Sequence, residues 1–394
     1  MIDAFNLSQT EYRVVYDIYD TALDLNTKGT GLSEFERDLI DGNLYDLYFF
    51  GLNPYEDVNA AEVYASLCEK NIFTDLTAFS EGVDILSSVK KAFRSGGSLP
   101  SLPFCAWYEL LYSPIGHEQV FSLENLLKIA DSLAPEERFL YSAYDFSIVR
   151  EAGICRFYDA ENKTCSFDSP EFLTFLACMD RLEERSADAD TDLSAWEAVP
   201  GGMQYCGLLE ASNTEGLIRF FFSMKDTPFA YAGFLMTEHG AGVRSDIVCA
   251  VPKKAACPYG AEALLAFLYS DEIQTCGSLR QYGLPVTMES LKAVFPCGYH
   301  YFSDSIFGLV YEKSSAVPLT SSGIRTEFAL EYRITEEQRD EFLGFLGNAD
   351  LIRAADETVL SVVREELTAA DAGVRSRAEA AKIIQNRVML YLNE

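Results

Sequence analysis

Histidine and tryptophan are scarce in this chain, with three of the first (His117, His239, His300) and two of the second (Trp107, Trp196) in 394 residues. With so few imidazoles, and no Cys-x-x-Cys pair among its ten cysteines, the sequence holds no zinc-ligand spacing. Basic residues are outnumbered, 31 against 61 acidic ones, for a formal net charge of −30. A chain so charged is repelled by phosphate backbones and by anionic lipid surfaces, which argues against both as partners. No apolar run approaches the roughly 18 residues a membrane span requires. The opening Met1-Ile2-Asp3-Ala4-Phe5-Asn6 has neither the basic nor the apolar region of a signal peptide. A G-x-S-x-G elbow, a phosphate-binding loop, an H-E-x-x-H helix and a Cys–His signature are missing too, so no catalytic motif and no cofactor is indicated.

What is present supports a sizeable core. Hydrophobic residues make up 48% and charged residues 23%, and the length suits two domains at about 150 residues each. Ten cysteines in so long a chain fall below disulfide-scaffold density. Cys178 and Cys249 lie in apolar runs, where a thiol acts as a small buried hydrophobe. The cysteine count leaves the compartment open.

Strand-like and helix-like patterns alternate, which predicts an α/β architecture. Tyr12–Tyr19 and Leu44–Phe50 read as strands. The prolines of Leu99–Pro103 exclude helix there. From Phe121 the pattern turns helical. Ile154–Tyr158 against Thr164–Phe167 reads as a hairpin turning at Glu161-Asn162-Lys163. Ser169 is a cap and Pro170 a first helical residue for a helix reaching about Arg185, with Phe172, Phe175, Leu176 and Met179 on one face. Ile247–Pro252 reads as a buried strand, and a helix follows from about Tyr259. Thr335-Glu336-Glu337-Gln338 and Ser376-Arg377-Ala378-Glu379 are capping boxes in a helical C-terminal region, with a helix from Glu357 to Leu367 between them.

An ordered series of short patterns then resembles one family. Phe5-Asn6 with Tyr12-Arg13-Val14, Leu39–Leu47, Lys70–Leu76 and Gly97–Pro103 follow one another as its N-terminal segments do. Phe167-Asp168-Ser169-Pro170-Glu171-Phe172 matches its "FDSPEF" residue for residue. Tyr231-Ala232-Gly233-Phe234 with Gly240 and Gly242, and Ile384-Gln385-Asn386-Arg387-Val388 with Tyr391-Leu392, are similar to its later motifs. Tyr45, Leu235 and Met236 depart from the usual residues. The family is the extracellular solute-binding proteins of ABC importers, in the carbohydrate-type group common in Firmicutes.

The resemblance implies a two-lobed periplasmic-binding-protein-like fold of type II with a helical C-terminal region. Lobe one would be residues 1–106 with 248–308, and lobe two 107–247 with 309–394, with a ligand cleft between them. It also implies a monomer that captures a small molecule, closes by a hinge and delivers it to permease subunits. The setting implied is the cell exterior, with a lipid anchor, a leader and one further strand preceding Met1.

A sugar-binding cleft needs flat aromatic faces for the rings and strong acceptors for the hydroxyls. Trp107-Tyr108-Glu109, just past the first expected crossover, heads the candidates, against interlobe packing as the plainer role for Trp107. Tyr45 and Asp46 occupy another family contact region, and Asp46 equally suits a cap. Tyr231 and Phe234 either line the cleft or fill a strand's buried face. Glu238-His239-Gly240 forms a glycine-flexible loop that lets amides approach a ligand or merely turns the chain. Trp196, after an acidic loop, is a further contact or a surface anchor. No metal site is expected. Two other readings stand beside capture: a ligand-sensing ectodomain or non-transporting scaffold, and more weakly a secreted glycoside hydrolase, which needs two carboxylates about 5–10 Å apart.

Overall fold

The computed structural model describes residues 1–19, 30–51, 63–64, 66–68, 70–95, 97–114, 122–133, 137–140, 149–151, 153–160, 162–184, 206–211, 213–232, 242–245, 247–276, 282–303, 309–310, 328–348 and 356–393. Its strands are β1 (Tyr48–Gly51), β2 (Leu102–Pro103), β3 (Trp107–Pro114), β4 (Tyr158–Asp159), β5 (Thr164–Cys165), β6 (Gly207–Ala211), β7 (Phe229–Ala232), β8 (Gly242–Arg244), β9 (Ile247–Ala250), β10 (Gly298–Ser303), β11 (Leu309–Val310) and β12 (Phe328–Ile334). The chain divides into two compact units, Met1–Trp107 with Val243–Val294, and Tyr108–Gly242 with Phe295–Glu394.

The first unit is built on an antiparallel sheet ordered β1-β9-β2, with Phe50 opposite Val248 and Leu102 opposite Cys249. Along β1 the residues alternate, Tyr48 and Phe50 buried and Phe49 exposed, as the period of a half-buried strand demands. Behind the inward residues Phe35, Leu67, Phe73, Val248 and Ala250 close a core rich in edge-on rings. Polar side chains tie the loops. Asp75 Oδ1 accepts hydrogen bonds from the backbone N–H groups of Thr77 (3.0 Å) and Leu99 (2.9 Å) and from the Thr77 hydroxyl (2.6 Å). The buried Gln274 joins Phe104, Leu268 and Val286 through one amide.

The second unit has a sheet ordered β6-β3-β7, a sheet ordered β11-β10-β12, and the small β4-β5 hairpin. Its largest core lies around the Pro170–Glu183 helix, whose Phe172, Phe175, Leu176 and Met179 are all buried as its periodicity predicts. Ser169 caps that helix, accepting from Phe172 N at 3.2 Å, and Pro170 occupies its first turn. Both capping boxes close reciprocally. Gln338 N donates to Thr335 Oγ1 (3.2 Å) while Thr335 N donates to Gln338 Oε1 (2.9 Å); Ser376 and Glu379 exchange the same pair at 3.2 and 2.8 Å. Glu366, nearly buried on the Glu357–Asp371 helix, is gripped by Arg375 and by Arg387 at 2.7 Å, which holds the last two helices together.

Two expectations need correction. Tyr12–Tyr19 has strand composition but pairs with no strand among the described residues, because β1 takes its partner, β9, from far along the chain. Ile154–Tyr158 is not a strand arm. Cys155–Phe157 is a 3-10 turn and only Tyr158–Asp159 pairs with Thr164–Cys165, because Phe157 is drawn into the cluster of Phe167, Phe172 and Phe175.

Candidate functional site

The candidate residues divide by the company they keep. Trp107 opens β3 where the chain leaves the first unit, and it is half-buried there. Its edge is held by a returning loop. The indole Nε1–H donates to the Tyr282 carbonyl at 2.7 Å, and Ala106 and Leu284 exchange backbone hydrogen bonds of 2.8 and 2.9 Å beside it. Gly283 makes that approach possible. It sits at φ +146°, and a Cβ there would meet Ala106 O and Trp107 Cδ1 at 3.0 Å. The Gly283-Leu284-Pro285 turn thus pins the orientation of the indole. Over the ring lies the Arg244 guanidinium, 4.4 Å from the centroid, a cation–π contact within the same unit.

Tyr108 faces the other way and is fully buried, so it serves the core. Glu109 is half-buried and pairs in register with Glu210 of β6. Its side chain lies across Gly242, where a Cβ would come within 3.3 Å of Glu109 Cβ and 3.6 Å of Oε2. Gly242 therefore leaves room for a carboxylate. Such an acceptor suits the hydroxyls of a polyol.

Tyr45 is exposed, its ring edge-on to Tyr19 and Tyr48 at 6.0 and 6.1 Å, with its hydroxyl donating to Asp17 Oδ2 at 3.3 Å. Loss of water and then the neighbouring Asp17 charge raise its phenol above the ordinary value. Asp46 Oδ1 accepts from Cys257 N at 2.6 Å, tying the residue just before the Pro258–Leu268 helix to the turn that precedes β1. Tyr231, in β7, packs against Phe229, Phe342 and Phe345. Phe234, Glu238, His239, Gly240 and Trp196 lie outside the described residues.

Sequence reasoning passed over Arg244 and Tyr282. Arg244 carried a weak signal, a lone cation two residues after a glycine in a short strand; Tyr282 carried none, since it acts through its carbonyl. Among the described residues no group of three or more His, Cys, Asp or Glu side chains is placed to hold a metal ion, and no helix is long and apolar enough to cross a membrane. All ten cysteines are free thiols. Burial lifts the Cys155 thiol to about 12 and that of Cys178 to about 11, so both stay protonated.

No protein-family model and no curated protein sequence matches the chain. Solved structures do. The sugar-binding protein MalE from Xanthomonas citri is similar at a TM-score of 0.55 and 10% identity, over 92% of this chain and 88% of that one. A periplasmic oligogalacturonide-binding protein from Yersinia enterocolitica scores 0.55 at 12% identity over the same shares. The cyclic alpha-maltosyl-1,6-maltose binding protein from Arthrobacter globiformis scores 0.54 at 15% identity, over 99% of this chain and 94% of that one. Likeness across nearly the whole chain establishes the fold as the two-lobed periplasmic-binding-protein type II architecture, with the helical C-terminal region of the second unit as part of it.

Proposed function

We propose that this chain is a solute-binding protein that captures a carbohydrate outside the cell and delivers it to the permease of an ABC importer, and that it is a binding protein without catalytic activity. The observation that carries the reading is the fold likeness, end to end, to proteins described as binding maltose-type sugars and oligogalacturonides. Trp107 supports it: a clamped indole beside an arginine suits the apolar face and the hydroxyls of a pyranose. Within the proposal Trp107 and Arg244 of the first unit touch ligand. Tyr45 contributes an exposed ring, while Tyr108, Tyr231 and Asp46 support the frame. Closure of the two units on the ligand, favoured by contacts that only the closed form makes, completes the capture step. A lipid anchor at the cell surface belongs to the same reading.

Thermal unfolding in the presence of maltose, malto-oligosaccharides, oligogalacturonides, amino acids and short peptides tests it. A ligand that binds only the folded chain stabilises it by RT ln(1 + [L]/Kd), about 2.7 kcal/mol at 100 times Kd. The expected result is a dose-dependent rise in Tm with one saccharide class, abolished by Trp107→Ala while the unliganded Tm stays within a few degrees. Small-angle scattering with that saccharide is expected to show a smaller radius of gyration. A shift with peptides alone, or with nothing, overturns the carbohydrate reading.

A further inference from the structure

Tyr282 holds the indole through its carbonyl alone, which leaves its ring without a task. That carbonyl accepts two hydrogen bonds, from the Trp107 Nε1–H at 2.7 Å and from the Cys105 thiol at 3.0 Å. The chain just beyond it is held as firmly. Leu284 and Ala106 exchange backbone hydrogen bonds of 2.8 and 2.9 Å, and Val286 N donates to Gln274 Oε1 at 3.1 Å. Gly283–Thr287 are buried throughout. Tyr282, at the head of this fixed turn, is nevertheless 49% exposed, its ring in contact with no other ring and its hydroxyl with no partner among the described residues. A single exposed aromatic on a surface is ordinary and needs no explanation. This one is anchored at its own peptide and stands one hydrogen bond away from the indole.

Anchoring matters for binding. A tyrosine on a fixed backbone offers a large amphipathic face with only two side-chain torsions left to order, so little conformational entropy is lost when a ligand covers it. Because the Trp107 and Tyr282 rings do not touch, they form two separate plates. A pyranose covers one such plate with its apolar face. Its hydroxyls then find donors in the Arg244 guanidinium, 4.4 Å from the indole centroid, and in the Tyr282 hydroxyl. A ligand that uses both plates carries at least two sugar rings. Granted that the chain captures a carbohydrate, on which this rests, we propose that Tyr282 is a ligand contact and that the carbohydrate is an oligosaccharide, with one sugar ring against Trp107 and a second against Tyr282. Trp107, Arg244 and Tyr282 all belong to the first unit, so the pair of plates does not depend on the second.

Calorimetric titration of the full chain with glucose, maltose and maltotriose, and with galacturonate, its dimer and its trimer, tests this. In the series that binds, the disaccharide is expected to bind at least about tenfold more tightly than the monosaccharide. Tyr282→Ala is expected to bring the two affinities toward parity. Tyr282→Phe is expected to preserve their ratio, since the ring does the stacking. Trp107→Ala, which removes the first plate, is expected to weaken monosaccharide and disaccharide alike. An unliganded Tm and a tryptophan emission spectrum unchanged in Tyr282→Ala confirm that the carbonyl still holds the indole. A monosaccharide that binds as tightly as its dimer, or a ratio untouched by Tyr282→Ala, overturns the oligosaccharide assignment and leaves carbohydrate capture standing. Binding of no saccharide in either series overturns both.

Discussion

Two segments of the molecule meet the same problem in the same way and end differently. In the second unit, Gln385 of the last helix accepts from Phe167 N at 2.7 Å and donates to the Cys165 carbonyl at 3.0 Å, completing backbone that no strand among the described residues meets on that side. In the first unit Asn6 and Gln9 do this for Val14 and Tyr12. Phe167 is wholly buried, with Phe172 at 5.0 Å and Tyr158 stacked at 6.3 Å; Val15 and Ile18 face water. An amide side chain satisfies two backbone groups in either place. Only where apolar area is also removed from water does the clasp fasten the segment into the fold, because a hydrogen bond exchanged with water contributes about 1 kcal/mol and a buried ring several times that.

The comparison can be broken most directly at its apolar side. Phe172→Ala is expected to cost about 3–5 kcal/mol by urea unfolding, through the lost ring and the cavity left among Phe157, Phe167 and Phe175. Val15→Ala is expected to stay within about 0.5 kcal/mol, and a comparable cost at both sites would sink the distinction. The clasps come next. Gln385→Ala strands two backbone groups in a half-buried place, for a cost of about 1–3 kcal/mol, whereas Asn6→Ala is expected to cost under about 1 because water replaces the amide at the open segment.

The smallest effect concerns a third clasp, made by a carboxylate. Hydrogen bonds from the Thr77 hydroxyl and then from Leu99 N hold Asp75 below its usual pKa. Its contribution is therefore complete above the unfolded carboxylate value, about 3.9, and fades as pH falls through the lower folded value. Asp75→Asn is expected to flatten the acid limb of the stability curve. An amide does not titrate, so Gln385→Ala is expected to shift that curve without changing its slope.

Local chemistry was readable from the chain where neighbours in sequence suffice. The cap at Ser169 and both capping boxes form as written, since a side chain three residues away is already within reach of the amide it must satisfy. The apolar face of Phe172, Phe175, Leu176 and Met179 follows from helical periodicity alone. Tyr12–Tyr19 was misread for the complementary reason. Its composition suits a strand, but a ladder needs a second strand, and no residue near it in sequence says whether one is there.

The candidate site divides along the same line. Trp107 could be singled out by its place just past the first expected crossover, while Arg244 over its ring and Gly283 at its edge come from distant parts of the chain. The motifs around Phe167 and Gln385 were each visible, yet nothing in either announced that they bind one another.

The sequence by itself determined the α/β class, the helix ends, the acidic surface and the resemblance that names the fold, because composition, periodicity and capping act over a few residues. The tertiary structure decided which aromatic is a clamped plate and which is core, and which carboxylate holds a backbone amide far along the chain. Those outcomes depend on pairings across long loops, whose closure entropy is offset only by apolar burial and hydrogen bonds made between residues far apart in the chain.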